Sequence, residues 1–250
     1  MKKELPKRRG WNKPKKVTIK FFLNEAVQPL IEGKTKRYPL YALITYDRKN
    51  TMMRCHYGKH YKDLVEIDKV HYPGLLKMEE RIIRKIIDYE IAQREDEFDL
   101  KGIHRKYNKY HVGIHVLAGS YMKGQLWNIL LRLEPFEFAK ALNFNDPDVE
   151  FDTLYKIVRK LYKDFASLIP KDFEQEVQMY QVFLKLYQGS FFQYSFPTVI
   201  EWLDGSAITD YREKLKEHHS QAPSLVKRSI EFVDVIVRQI RTGRYVVICQ

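Results

Sequence analysis

Three histidines, His104, His111 and His115, fall within twelve residues, and His218 and His219 form a pair further on. Imidazole is a common zinc ligand, and the i, i+4 spacing of His111 and His115 would put two ligands on one helix face. The residues between them are Val112, Gly113 and Ile114. No Glu stands there to act as a base, and Gly113 weakens the helix that such a site needs. Two acidic runs, "REDEFD" (Arg94 to Asp99) and "NDPDVEFD" (Asn145 to Asp152), hold enough oxygens for a hard cation. They read instead as solvated helix starts, where carboxylates meet the positive end of the helix dipole. Cys55 and Cys249 have no His–Asp setting, and the chain has no Gly-rich phosphate loop and no Gly-x-Ser-x-Gly elbow. The sequence thus predicts no catalytic residues, no metal site, no cofactor and no enzyme.

The chemistry that remains is charge. The 250 residues carry a net +12. Residues 1–62 hold 17 Lys and Arg against Glu4, Glu25, Glu32 and Asp47, a balance of +13. The other 188 residues hold 27 basic and 28 acidic side chains and are nearly neutral. A basic module joined to a neutral body is the pattern of a polyanion-binding device. Apolar residues make up 44% and aromatics 14%, enough to build a buried core, so general disorder is excluded. No stretch approaches the roughly 20 apolar residues that span a bilayer. The basic N-terminus lacks the apolar segment of a secretory signal. Two cysteines cannot form a disulfide framework, which fits a reducing cytosol. A cytoplasmic protein without a membrane partner is expected.

The elements that would position these charges follow from periodicity. Residues 1–15, with Pro6, Gly10, Pro14 and seven Lys and Arg, read as a flexible basic arm. From Lys16 to Leu23, Val17, Ile19, Phe21 and Leu23 alternate with Thr18, Lys20 and Phe22, the period of a half-buried strand. A loop with Pro29 and Gly33 leads to a second strand, Tyr38 to Tyr46. Asp47 to Asn50 form the turn, and Thr51 to Tyr57 the third strand, closed by Gly58. Such a sheet needs a cover. The next segment, Leu75 to Glu95, supplies it, with Leu75, Leu76, Ile82, Ile83, Ile86, Ile87 and Ile91 on one helical stripe.

The fold class predicted is α+β. A small N-terminal three-stranded antiparallel sheet covered by an amphipathic helix (16–97) is followed by a mostly helical body (98–250). Expected helices run over Gln125 to Leu133, Pro135 to Leu142, Val149 to Ser167, Lys171 to Leu186, Thr198 to Leu203 and Ser224 to Thr242. Asp148 and Ser224 are expected N-caps, and Gly243 a C-terminal stop. The final "RYVVICQ" reads as a short strand. The aromatic stretches "LYKIVRKLYKDFASLI" and "YQVFLKLYQGSFFQYSF" read as core.

The residues "KVTIKFFLN", "YPLYALITYDRKNT" and "RCHYG", followed by the amphipathic helix, resemble the N-terminal arm-type DNA-binding domain of tyrosine recombinases. The likeness is to integrases carried by mobile elements of the Bacteroides group, and it covers about residues 15–95. The resemblance implies a sheet laid in the DNA major groove. The catalytic set of that family, two arginines, a His-x-x-Arg and a C-terminal tyrosine, is missing here. The resemblance therefore implies DNA binding without strand exchange.

The physical reading runs beside it. A ribbon of two or three strands fits the B-DNA major groove. With alternate apolar residues turned to the helix, the other face would show Thr18, Lys20, Tyr41, Thr45, Arg54 and His56. Lys16, Lys34, Lys36, Arg37, Arg48 and Lys49 would contact phosphates, and Arg54 is placed to read a guanine. The function expected is non-catalytic DNA binding by an accessory or regulatory factor of a mobile element or phage. The helical body would meet a recombinase or a second copy. The alternatives are a phage structural or assembly protein with a basic face for nucleic acid or an acidic partner, and a metal-dependent nuclease.

Overall fold

A computed structural model describes residues 16–55, 59–71, 73–93, 98–133, 142, 144, 146, 149–162, 164–187, 196–219 and 223–242. The chain divides into two compact units, 1–106 and 107–250. The boundary thus falls beyond the expected position 97, inside a helix.

The first unit is organised by one long strand. Its strands are β1 (Thr18–Leu23), β2 (Leu30–Glu32), β3 (Thr35–Tyr46), β4 (Lys49–Arg54) and β5 (His60–Tyr61). All four others pair antiparallel with β3. β1 pairs with Leu40 to Thr45 and β4 with Tyr41 to Tyr46. Sharing the same stretch of β3, they must lie on its opposite edges. β2 and β5 pair with its N-terminal end, Thr35 to Pro39. The sheet therefore has five strands rather than the expected three. The two additional ones are three and two residues long, and β2 lies in the segment expected to be a loop. Gly33, at φ +62, opens the tight turn that folds β2 back on β3.

Period two decides which face is buried. Leu40, Ala42, Ile44 and Tyr46 of β3 are buried, with Val17 before β1, Met53 of β4 and Cys55 after it. The cover is α2 (Leu75–Gln93), preceded by α1 (Leu64–Val70), whose N-cap Asp63 accepts the Glu66 N–H at 2.8 Å. Leu75, Ile82, Ile83, Ile86 and Ile87 of α2 are buried, as the stripe predicts. Two contacts tie α2 to the sheet. Arg84 Nη1 donates to the Val17 carbonyl at 3.0 Å, and the buried Glu79 carboxylate lies near the Cys55 thiol. Burial, and then that charge, push the thiol's pKa well up, so Cys55 is no nucleophile.

A single turn of 3₁₀ helix, Leu100–Gly102, leads into α3 (Ile103–Tyr110), within which the two units divide. The second unit continues with α4 (Ile114–Arg132), α5 (Phe151–Leu161), α6 (Phe165–Leu168) and α7 (Lys171–Tyr187). It ends with α8 (Val199–Leu203), α9 (Ser206–His219) and α10 (Pro223–Arg241). α4 is its axis and packs against α5, α7 and α10. Both aromatic stretches supply core. Phe151, Tyr155, Phe165, Phe173 and Tyr180 form one set of edge-on and stacked rings, and Phe183, Tyr187, Tyr211 and Trp202 another.

Several boundaries differ from expectation. The helix expected from Gln125 begins at Ile114, the one over Val149 to Ser167 breaks at Tyr162, and α3 and α9 were not anticipated. α8 is N-capped by Thr198, whose reciprocal capping box with Glu201 fixes its start. α10 starts with Pro223 rather than a Ser224 cap. The basic arm, Pro135 to Ala141, Asp148 and the terminal strand with Gly243 lie outside the described residues. Among the described residues, no helix is long and apolar enough to cross a membrane.

The Ile stripe is expected to hold the first unit together. Ile86, fully buried, changed to Ala should cost about 2–5 kcal/mol, whereas the 61%-exposed Met52 changed to Ala should stay within about 0.5 kcal/mol. Urea unfolding of the two full-length variants checks this. Equal midpoints would show that α2 does not carry the core.

Candidate nucleic-acid interface

Strand register sorts the second face of the sheet into three rows. Directly opposed residues of an antiparallel pair share a face. Phe22, Tyr41 and Arg54 form one row, Lys20, Leu43 and Met52 the next, and Thr18, Thr45 and Asn50 the third. The five predicted sheet-face residues within the described part, Thr18, Lys20, Tyr41, Thr45 and Arg54, are therefore brought together on one face. Lys20, Arg54, Met52 and Asn50 are exposed, and the others half-buried. The Phe22 and Tyr41 rings lie 6.0 Å apart, tilted by 41°. The face grades from aromatic through aliphatic to hydroxyl and amide, with a cation in two of its rows. Phe22, Leu43, Met52 and Asn50 escaped the sequence reading, although the same alternation places them there.

The β3–β4 hairpin closes in two residues. Tyr46 pairs with Lys49, so the turn is Asp47–Arg48 alone, and Lys49 and Asn50 belong to β4 instead of the expected four-residue turn. Asp47 has φ 48 and Arg48 φ 62. A two-residue turn matching the strand twist requires left-handed backbone at both positions, which Asn-Gly or Asp-Gly supplies readily. Asp tolerates it. An Arg there costs about 1–2 kcal/mol. An exposed guanidinium is held at the hairpin tip against this strain.

The other predicted contacts divide. Lys16 is exposed just ahead of β1, Lys34 sits in the β2–β3 turn, and Lys36 and Lys49 are exposed on their strands. Arg37 is a correction. Its Nη1 donates to Glu66 Oε1 at 2.6 Å, and its Nε lies 2.6 Å from Glu32 Oε2. Glu66 also accepts the Lys62 N–H at 2.7 Å. The Glu66 hydrogen bond, with both carboxylate charges, raises the guanidinium's pKa, and the Glu66 carboxyl is held below its ordinary value. Arg37 thus joins the sheet to α1 and is not presented to a phosphate. His56 lies outside the described residues.

Of the histidines singled out above, His111 and His115 pack into the second unit, whereas His104 and His218 are exposed. His111 Nδ1 donates to the Tyr107 carbonyl at 2.8 Å, and its ring stacks on Tyr107 at 4.4 Å. His115 stacks on Phe196 at 4.2 Å, and burial lowers its pKa to about 4. A Cβ on Gly113 would meet that ring at 2.6 Å, so the glycine serves packing. Among the described residues, no group of three or more His, Cys, Asp or Glu is placed to hold a metal ion. Asp99 caps the 3₁₀ turn by accepting the Lys101 N–H at 3.1 Å, and Asp152 lies in the first turn of α5.

No known protein family, curated protein or solved structure matches the chain.

Arg48→Gly should relieve the turn by more than the added freedom of the unfolded chain costs and raise stability by up to about 1 kcal/mol, read as a higher thermal midpoint. A lower midpoint would show that the Arg48 side chain makes a stabilising contact that outweighs the strain. His115 binds its proton less readily folded than unfolded. Its stabilising effect is complete above pH 6.5 and is lost as pH falls from there toward 4. Urea midpoints measured across that range should therefore fall less steeply for His115→Phe than for the native chain.

Proposed function

We propose that the first unit binds double-stranded DNA through the outer face of β1, β3 and β4, as a non-catalytic accessory or regulatory factor of a mobile element or phage. The reading rests on the register that gathers Thr18, Lys20, Tyr41, Thr45 and Arg54 on the face opposite the one under α2. Three strands about 4.8 Å apart span about 10 Å of backbone, which suits the ~12 Å major groove and not the ~6 Å minor groove. Arg54, an exposed fork donor in mid-face, would take a guanine O6 and N7, and the hydroxyls and Asn50 either base edge. Lys16, Lys34, Lys36, Arg48 and Lys49 would sit on phosphates and fix position. The resemblance to the arm-type domain of recombinases agrees with this placement. A reducing cytosol is the compartment proposed.

Fluorescence anisotropy of the full chain with a random 30-base-pair duplex, across a salt series, tests the proposal. Log K should fall against log salt, and changing Lys34, Lys36, Arg48 and Lys49 together to Gln should flatten the slope by about 3–4. Arg54→Gln should cost about 1–3 kcal/mol at a selected site and little on random sequence. No binding at about 50 mM salt, where phosphate contacts are strongest, would end the DNA reading in favour of an assembly protein that meets an acidic partner.

A further inference from the structure

The outer face of the sheet is not uniformly polar. Its most exposed column is β4, where Asn50, Met52 and Arg54 all stand on the side away from α2. Met52 is 61% exposed, and its row neighbours are the half-buried Leu43 and the exposed Lys20. A sheet face turned to water ordinarily carries polar side chains, and a face built only for phosphates carries cations and hydroxyls. Neither calls for a thioether between an amide and a guanidinium. Base edges in the major groove do, because they offer hydrogen-bonding groups and one apolar group, the C5 methyl of thymine. The three side chains of the column match three different edges. Arg54 fits guanine O6 and N7, and Asn50 fits adenine N6 and N7. Met52 has no strong donor or acceptor to serve a polar edge. Its unbranched, polarisable side chain suits a methyl group, and Leu43 stands beside it in the same row. The spacing agrees. Alternate residues of an antiparallel strand are about 6.8 Å apart, two base-pair steps of about 3.4 Å along the duplex axis and fewer along the inclined groove. From Asn50 to Arg54 the column therefore covers at most about five base pairs.

We propose that Met52 reads the C5 methyl of a thymine. The β4 column then selects a short major-groove site in which an A·T pair, its thymine methyl against Met52, lies between a guanine at Arg54 and an adenine at Asn50. The inference rests on the DNA reading above and gives that surface its sequence preference. A methyl contact discriminates without charge. It therefore leaves the salt dependence, which counts phosphates, unchanged.

Deoxyuridine tests this directly, since it pairs as thymidine does and lacks only the methyl. Duplexes are selected with the full chain from a random-sequence pool, and each thymine of a selected duplex is replaced in turn by uracil. One replacement should weaken binding about fourfold, the worth of burying one methyl group, with the salt slope unchanged. Met52→Ala should bind the thymine duplex more weakly by about that factor or more, and should be indifferent to the same replacement. Arg54→Gln should keep the sensitivity to it. The thermal midpoint of Met52→Ala should match that of the native chain, because the side chain is exposed. Native protein that binds duplex but selects no sequence, or is indifferent to every replacement, would overturn the inference and leave the sheet interface standing. An equal loss by Met52→Ala on the same replacement would overturn it too, because another group would then be reading the methyl. Failure of the native chain to bind any duplex would overturn both readings.

Discussion

The first unit depends on the alternation of β3. Every other strand pairs with it, so its period of two decides for the whole sheet which residues are buried and which are displayed. Leu40, Ala42, Ile44 and Tyr46 lie on the buried side. A slip of one residue would bury Tyr41, Leu43 and Thr45 and turn that aliphatic row to water. The α2 isoleucines make such a slip costly, at about 1.5–3 kcal/mol for each large apolar side chain left exposed. Ala42 sharpens the constraint. It is fully buried between Phe21 and Met53, and a side chain of Leu43's size in its place would not fit without displacing one of them.

That constraint also sorts the charges. A net +13 over the first 62 residues says nothing about direction. In the folded unit, Arg37 is spent on Glu32 and Glu66, Arg84 on Glu80 and the Val17 carbonyl, and Lys106 on Glu90. These cations bind parts of the unit to each other. Lys16, Lys20, Lys34, Lys36, Arg48, Lys49 and Arg54 are instead exposed: Lys20 and Arg54 on the outer face, Lys34 and Arg48 in the two turns, Lys36 and Lys49 beside those turns in register with the Leu40 and Tyr46 side, and Lys16 ahead of β1. The proposed binding surface rests on this separation rather than on basic composition alone, because a cation already held by a carboxylate has little attraction left for a phosphate.

The sequence carried the parts of this arrangement that rest on local period. β1, β3, β4 and α2 each repeat an apolar pattern long enough to read, and the same alternation grouped Thr18, Lys20, Tyr41, Thr45 and Arg54. β2 and β5 were hidden because three and two residues cannot show a period. The β3–β4 turn was misjudged because Asp-Arg is not a turn pair that sterics favour, and only the Tyr46–Lys49 pairing forces it. The pairing of Arg37 with Glu66 spans 29 residues and depends on how α1 meets the sheet, which no local pattern records. In the body, α4 escaped at its start because its exposed side also carries apolar residues, Val116 and Leu131, which blurs the amphipathic signal, and Gly119 and Gly124 lower its propensity. α9 escaped for the opposite reason. Its buried side is narrow, Ala207, Tyr211 and Leu215, and apart from Ile208 the rest of the helix is polar.

The two hairpins solve the same steric problem differently, and the contrast bears on function. The β2–β3 turn uses Gly33 where left-handed backbone is needed and puts Lys34 next to it, so a cation is presented without strain. The β3–β4 turn places Arg48 itself in the left-handed conformation. A glycine at 48 would close that hairpin more favourably, and nothing in the sheet register requires an arginine there. Local strain of 1–3 kcal/mol concentrates where the strained side chain does something the fold alone does not need. Arg48 is exposed at the tip, so its guanidinium makes up for that strain with no burial of its own. A phosphate contact there, as proposed, would give the strained residue a use that the fold does not.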